Sequence, residues 1–164
     1  MRGFGAGVRR LLAYAGGMTH RVHRVIETAC PQEVAFDFVA DFSTTQAWDP
    51  GIPRARRLDE GPIEVGSRFE LVSRFNTTEQ TLVYEITELT RPARVVLVGD
   101  GGNFHGVDTI SFAPRDEGGT VVTYEADLSL KGLARLAEPF IGGKLDAMSD
   151  HAVAGLKAAL DARA

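Results

Sequence analysis

The chain has 164 residues, of which 44% are hydrophobic and 24% charged, and its formal net charge is -4. That size and apolar share suit one domain around one core, and no basic stripe of the kind that neutralises nucleic-acid phosphates runs through it. The single cysteine, Cys30, allows no internal disulfide and no apolar run approaches the roughly 20 residues that span a bilayer, so the expected setting is the cytoplasm.

Residues 1–18 stand apart, with Gly3, Gly5, Gly7, Gly16 and Gly17 set around Arg2, Arg9 and Arg10. They predict a flexible basic arm ahead of a domain over residues 19–164. Arg9 to Tyr14 has too little apolar area for stable membrane insertion. The β-branched mixture from His20 to Thr28 predicts a first strand. Pro31 then suits the first turn of a helix, Gln32 and Glu33 suit the positive end of its dipole, and Val34, Ala35, Phe38 and Val39 carry its period. Ser43 is placed to cap a second short helix, Thr44 to Trp48, which Pro50, Gly51 and Pro53 end.

Alternating segments between turn residues follow, the pattern of an antiparallel meander. Arg54 to Leu58 reads as a strand. Between Ser67 and Phe75, Phe69, Leu71, Ser73 and Phe75 share one face, and Asn76-Thr77 is the turn. Leu82, Tyr84 and Ile86 share a face within Gln80 to Glu88. Val95 to Val98 is a continuous apolar run that suits a buried strand. Asp108, Ile110 and Phe112 align within His105 to Ala113, and Asp116-Glu117-Gly118-Gly119 is a hairpin signal. Val122, Tyr124, Ala126, Leu128 and Leu130 then alternate inward along Thr120 to Leu130. From Gly132 to the C-terminus, Leu133, Ala137, Ile141, Leu145, Met148, Ala152, Leu156 and Ala159 fall on one helical face. A kink is expected at Pro139 and Gly142-Gly143.

These elements predict an α+β domain in which a curved antiparallel sheet of six to seven strands wraps around a long C-terminal helix, with two short helices after the first strand. One helix cannot fill the concave face of such a sheet, and the unfilled space is an apolar pocket.

The order of elements resembles the START-like (SRPBCC), helix-grip superfamily, and within it the polyketide cyclase/dehydrase and lipid-transport family. Val25-Ile26-Glu27-Thr28 through Pro31-Gln32-Glu33-Val34-Ala35-Phe36 carries the likeness, with Trp48-Asp49-Pro50, Asp108 to Pro114 leading to Gly119 to Tyr124, and Lys131-Gly132-Leu133 to Glu138-Pro139-Phe140. The resemblance implies a cavity between sheet and helix that takes a small hydrophobic molecule such as a lipid, a quinone or a polyketide-like compound. No cofactor, no metal and no nucleic-acid partner are expected, and the sequence is compatible with a homodimer. Cyclisation or dehydration of a polyketide in the same cavity is the alternative it carries.

Inward polar groups point to a site because burying them is costly unless something pairs with them. Tyr84 and Tyr124 are expected near the cavity, where their hydroxyls either orient a ligand or complete the core. Asp108 either points into the pocket as a base with a raised pKa or meets solvent or an arginine at the strand end. His105 and His151 are read as surface residues with a proton shuttle as the rival. His20 and His23 point to opposite faces, and no paired metal-ligand spacing appears. Trp48, Phe69, Leu71, Phe75, Phe140 and Met148 are the expected apolar lining. No group of residues assembles a nucleophile, base and orienter, so no catalytic residue is assigned.

Overall fold

A computed structural model of the protein describes residues 19–164, so the arm expected over residues 1–18 lies outside the described residues. Strand β1 spans His20–Thr28 and is followed by helix α1, Gln32–Ala40, a 3-10 turn, Phe42–Thr44, and helix α2, Thr45–Trp48. Six strands follow: β2 Arg54–Arg57, β3 Arg68–Phe75, β4 Thr78–Thr90, β5 Arg94–Gly101, β6 Phe104–Pro114 and β7 Thr120–Leu130. A second 3-10 stretch, Gly132–Ala137, leads into helix α3, Glu138–Asp161.

The strands form one antiparallel sheet in the order β1-β7-β6-β5-β4-β3-β2, so the first strand closes against the last and the rest is a meander. Most of the inward set predicted from alternation is buried: Phe69 and Leu71 on β3, Leu82, Tyr84 and Ile86 on β4, Asp108, Ile110 and Phe112 on β6, and Val122 and Ala126 on β7; Ser73, Phe75, Tyr124, Leu128 and Leu130 are half-buried. A bulge between Ile86 and Glu88 shifts the register of β4 against β5. The extra residue returns Leu89 to the core side after Ile86 and bends the strand, which deepens the concave face.

Local chemistry departs from the sequence reading at four places. Pro31 precedes α1 rather than opening it, its carbonyl accepting from the Ala35 amide at 2.9 Å. The buried face of α1 is Ala35, Phe36, Val39 and Ala40, with the Phe36 ring edge-on to Phe112 at 5.4 Å. Val34 faces out, and Phe38 is half-buried beneath the Arg163 guanidinium, 3.7 Å from its ring centroid. Ser43 does not cap α2: it lies within the 3-10 turn ahead of it, which Asp41 caps, the Asp41 carboxylate accepting from the Ser43 amide at 3.2 Å and hydroxyl at 2.6 Å, while α2 follows Thr44 with no side-chain cap.

The fourth departure concerns the last helix. Helix α3 begins only at Glu138, with Pro139 in its first turn where a missing N–H leaves no hydrogen bond unmade, and it runs unbroken through Gly142-Gly143. Gly132 to Ala137 winds as a 3-10 stretch with no buried residue, so Leu133 is 87% exposed instead of joining the inner face. The C-terminal half of α3 is the seated end. Leu156 and Leu160 are fully buried, and side chains of their size contribute about 1.5–3 kcal/mol each when withdrawn from water. Asp161 accepts from the Thr28 hydroxyl at 2.7 Å, and Lys157 donates to the Glu27 carbonyl at 2.9 Å.

Candidate functional site

Between the concave face of the sheet and the N-terminal half of α3 lies a cavity of about 440 Å³, within the range that holds drug-sized ligands. Ile141, Leu145 and Met148 of α3 form its roof, Leu82, Ala126 and Leu128 are part of its floor, and Trp48 and Ile52 close one side. Two positions without side chains set its shape. A Cβ at Gly155 would run into the Trp48 carbonyl, so the absence of one lets α3 settle directly on the end of α2. Gly99 on β5 pairs with Tyr84, and a Cβ there would overlap the Tyr84 ring.

That second glycine has a chemical consequence. With no side chain beneath it, the Tyr84 ring lies across β5 and carries its hydroxyl toward Asp108 on β6, the next strand, with whose carboxyl it interacts. On the other side Asp108 pairs with Ala126 of β7. Tyr124, two residues earlier on the same face of β7, is its diagonal neighbour, and its phenol interacts with the Asp108 carboxyl. Asp108 is 3% exposed, and both phenols line the same cavity. The strand-end alternative for Asp108, exposed or matched to an arginine, is therefore overturned by its position at mid-strand on the concave face.

A second carboxyl faces this group. Asp49, just after α2, accepts from the Gly51 amide at 2.8 Å and lines the cavity. Burial pushes its pKa up to about 6, against the pull of that amide. Burial likewise pushes Asp108 up to about 7; the hydrogen bond from Tyr124 opposes this, the charge of Asp49 adds to it, and the hydrogen bond from Tyr84 opposes it. Burial, and after it the charge of Asp108, raises both phenols well above their ordinary value. Near neutrality the floor of the cavity thus holds a carboxyl poised between its two protonation states, between two phenols that stay protonated.

Of the residues expected to line the pocket, Trp48, Phe75, Tyr84, Asp108, Tyr124 and Met148 lie on its wall. Phe69 and Leu71 are buried in the packed core beside it, because β3 turns its first inward residues toward the 3-10 turn; Phe69 meets the Phe42 ring at 6.4 Å. Phe140 is 85% exposed: within α3 it lies about 100° around the helix from Ile141, off the face that Ile141, Leu145 and Met148 turn to the cavity. His105 pairs with Asp100 at 2.9 Å, and His151 is exposed.

Asp49 and His20 are wall residues that pattern reading missed. Asp49 sits in a turn with no periodicity, where the visible signal was an aspartate two residues before a glycine. His20 was legible as the inward member of a strand-end pair; its Nε2 lies 3.2 Å from Asp146 on α3. Among the described residues no cluster of three or more His, Cys, Asp or Glu is arranged to hold a metal, and no helix is long and apolar enough to cross a membrane.

The same architecture recurs in solved structures. A START superfamily protein from Mycobacterium smegmatis superposes with a TM-score of 0.73 at 15% identity, covering 88% of this chain and 99% of that one. TTHA0849 from Thermus thermophilus gives 0.71 at 17% identity, covering 88% and 98%. The di-domain ARO/CYC protein StfQ from the steffimycin biosynthetic pathway gives 0.68 at 15% identity, covering 88% of this chain and 51% of that one. At such identities the likeness is one of fold, and among curated proteins none matches in sequence. The family model for polyketide cyclase / dehydrase and lipid transport matches residues 19–161, from β1 to the last residue of α3, so the helix over a concave sheet and the cavity between them are the features of a chain that belongs to that START-like family.

Proposed function

We propose that the protein binds a small hydrophobic molecule in the cavity beneath α3. The observation that carries this reading is the combination of an apolar roof, Ile141, Leu145 and Met148, with one polar cluster at the floor, Tyr84, Asp108 and Tyr124. Such a site holds a ligand by shape and orients it by a few placed polar groups. Trp48, Phe75 and Met148 are then its apolar contacts, and Asp108 and the two phenols its anchors. Phe69 and Leu71 support that wall from behind. A small molecule rather than nucleic acid is the partner, and the buried lone Cys30 suits the reducing cytoplasm. Native mass spectrometry of protein purified from its own host should show a retained ligand, and Leu128→Trp, which fills the cavity from its floor, should abolish retention. A wild-type chain that takes up no hydrophobic molecule, from its host or from an added panel, would sink this reading.

A second reading is turnover. A carboxyl that gains and loses a proton near neutrality beside two phenols is equipped to move a proton in a cyclisation or dehydration, and StfQ, a similar structure, belongs to a biosynthetic pathway. On this reading Asp108→Asn abolishes product formation from a poly-β-keto substrate while the substrate still binds. Turnover surviving that substitution would exclude Asp108 as the proton carrier.

A further inference from the structure

We propose that the cavity selects an uncharged ligand that presents a carbonyl oxygen to the cluster of Asp108, Tyr84 and Tyr124, and that it rejects the carboxylate of the same skeleton. This rests on the binding reading above and adds the chemical class of the ligand.

The first support is the charge of the wall. The titratable groups facing the cavity are His20, Asp49, Tyr84, Asp108, Tyr124 and Glu138, with no lysine or arginine among them. His20 is taken up by Asp146, and Glu138 accepts from the Leu130 amide at 2.7 Å. At the rim, Lys144 donates to Asn76 Oδ1 at 2.8 Å and lies over the Phe75 ring. An anionic head group at the floor would lose its water and meet two carboxyls instead of a counter-charge, which is among the most costly burials a protein can make.

The second support is a count of protons. Each phenol brings one hydrogen to the cluster, and Asp108, 3% exposed on the same cavity wall, is the acceptor that both phenols face. With Asp108 ionised, the two phenolic hydrogens are consumed inside the cluster and it offers a ligand only lone pairs. With Asp108 protonated there are three hydrogens, one more than the internal hydrogen bonds need, and the spare one points at whatever oxygen lies above it. A ketone or quinone oxygen accepts it. Binding of such a ligand therefore takes up the protonated form, and the apparent affinity scales with the fraction of chains holding it.

The test uses the full chain freed of ligand, with neutral Nile red as the reporter displaced by three probes of one skeleton: 2-dodecanone, dodecanoate and dodecylamine, at pH 6, 7 and 8. The ketone is expected to bind at least about tenfold more tightly than dodecanoate at pH 7, and its affinity to weaken about tenfold from pH 6 to pH 8, as the protonated fraction of a group at about 7 falls. Asp108→Asn, whose amide donates at any pH, flattens that dependence, whereas His20→Gln leaves it standing. Dodecanoate binding as tightly as the ketone overturns the proposal, and loss of that binding in Lys144→Gln would place the head group at the rim. A ketone affinity indifferent to pH, or dodecylamine as the tightest probe, overturns it as well. If Nile red and all three probes fail to bind the folded chain, ligand binding itself falls; if they bind without discrimination, only the selectivity does. The panel uses the unmodified chain, so the result does not hang on a variant folding.

Discussion

The two halves of α3 are built from similar residues and do different work. Its C-terminal half is anchored by apolar burial, with Leu156 and Leu160 sealed against the sheet and Gly155 against Trp48. Its N-terminal half spans open space and has no fully buried residue. Polar links at its two flanks hold it there, His20 to Asp146 on one side and Lys144 to Asn76 on the other. Partly exposed polar contacts of this kind contribute little stability and exchange readily with water. The helix therefore joins a fixed hinge to an exchangeable roof, and the cavity lies under the part whose opening costs least.

The largest expected effect breaks the comparison at the cavity floor. Unfolded, an aspartate ionises near 3.9, whereas folded Asp108 keeps its proton up to about 7. Between those values the native state holds more protons than the unfolded chain, so stability falls as pH rises through that window and the loss is complete above it. At about 1.36 kcal/mol per unit the fall is on the order of 4 kcal/mol, to which Asp49 adds up to about 6 in the same direction. Urea titrations from pH 4 to 8 should show this decline in the wild type and a much shallower one in Asp108→Asn.

Next in size is the anchor. Leu156→Ala opens a cavity at a fully buried position and should cost about 3 kcal/mol in the same assay, with little change in ligand affinity. The roof should show the reverse. Leu145 is half-buried above the cavity, so Leu145→Ala is expected to cost about 1 kcal/mol or less, since little of its surface is sealed by protein, yet to weaken Nile red binding severalfold. If Leu145→Ala destabilised the chain as much as Leu156→Ala, the roof would be an anchor and the distinction between the halves would be lost. The smallest effect belongs to Phe140→Ser, which should change stability by no more than about 0.5 kcal/mol, as expected of a side chain lying outside the packing.

Much of this was written in the order of the residues. Strict alternation on β3, β4, β6 and β7 put Tyr84, Asp108 and Tyr124 on the face that became concave, because a period of two allows a side chain only one of two sides. The apolar period through Ile141, Leu145, Met148 and Leu156 likewise determined which side of α3 meets the sheet. The point at which α3 begins was not legible. Leu133 continues that period but falls outside, since Gly132 to Ala137 winds as a 3-10 stretch whose phase differs from that of an α-helix.

The sequence by itself determined the architecture and the inward polar groups borne on β4, β6 and β7, Tyr84, Asp108 and Tyr124, since both follow from local periodicity and turn chemistry. Only the tertiary structure decided which of those groups meet. Tyr84 lies two strands from Asp108 and reaches it because Gly99, on the strand between, has no side chain. Asp49 joins them from a turn that carries no period at all. Contacts across several strands depend on register, bulge and the side chains missing in between, and it is these contacts that convert an ordinary aspartate into a carboxyl poised near neutrality.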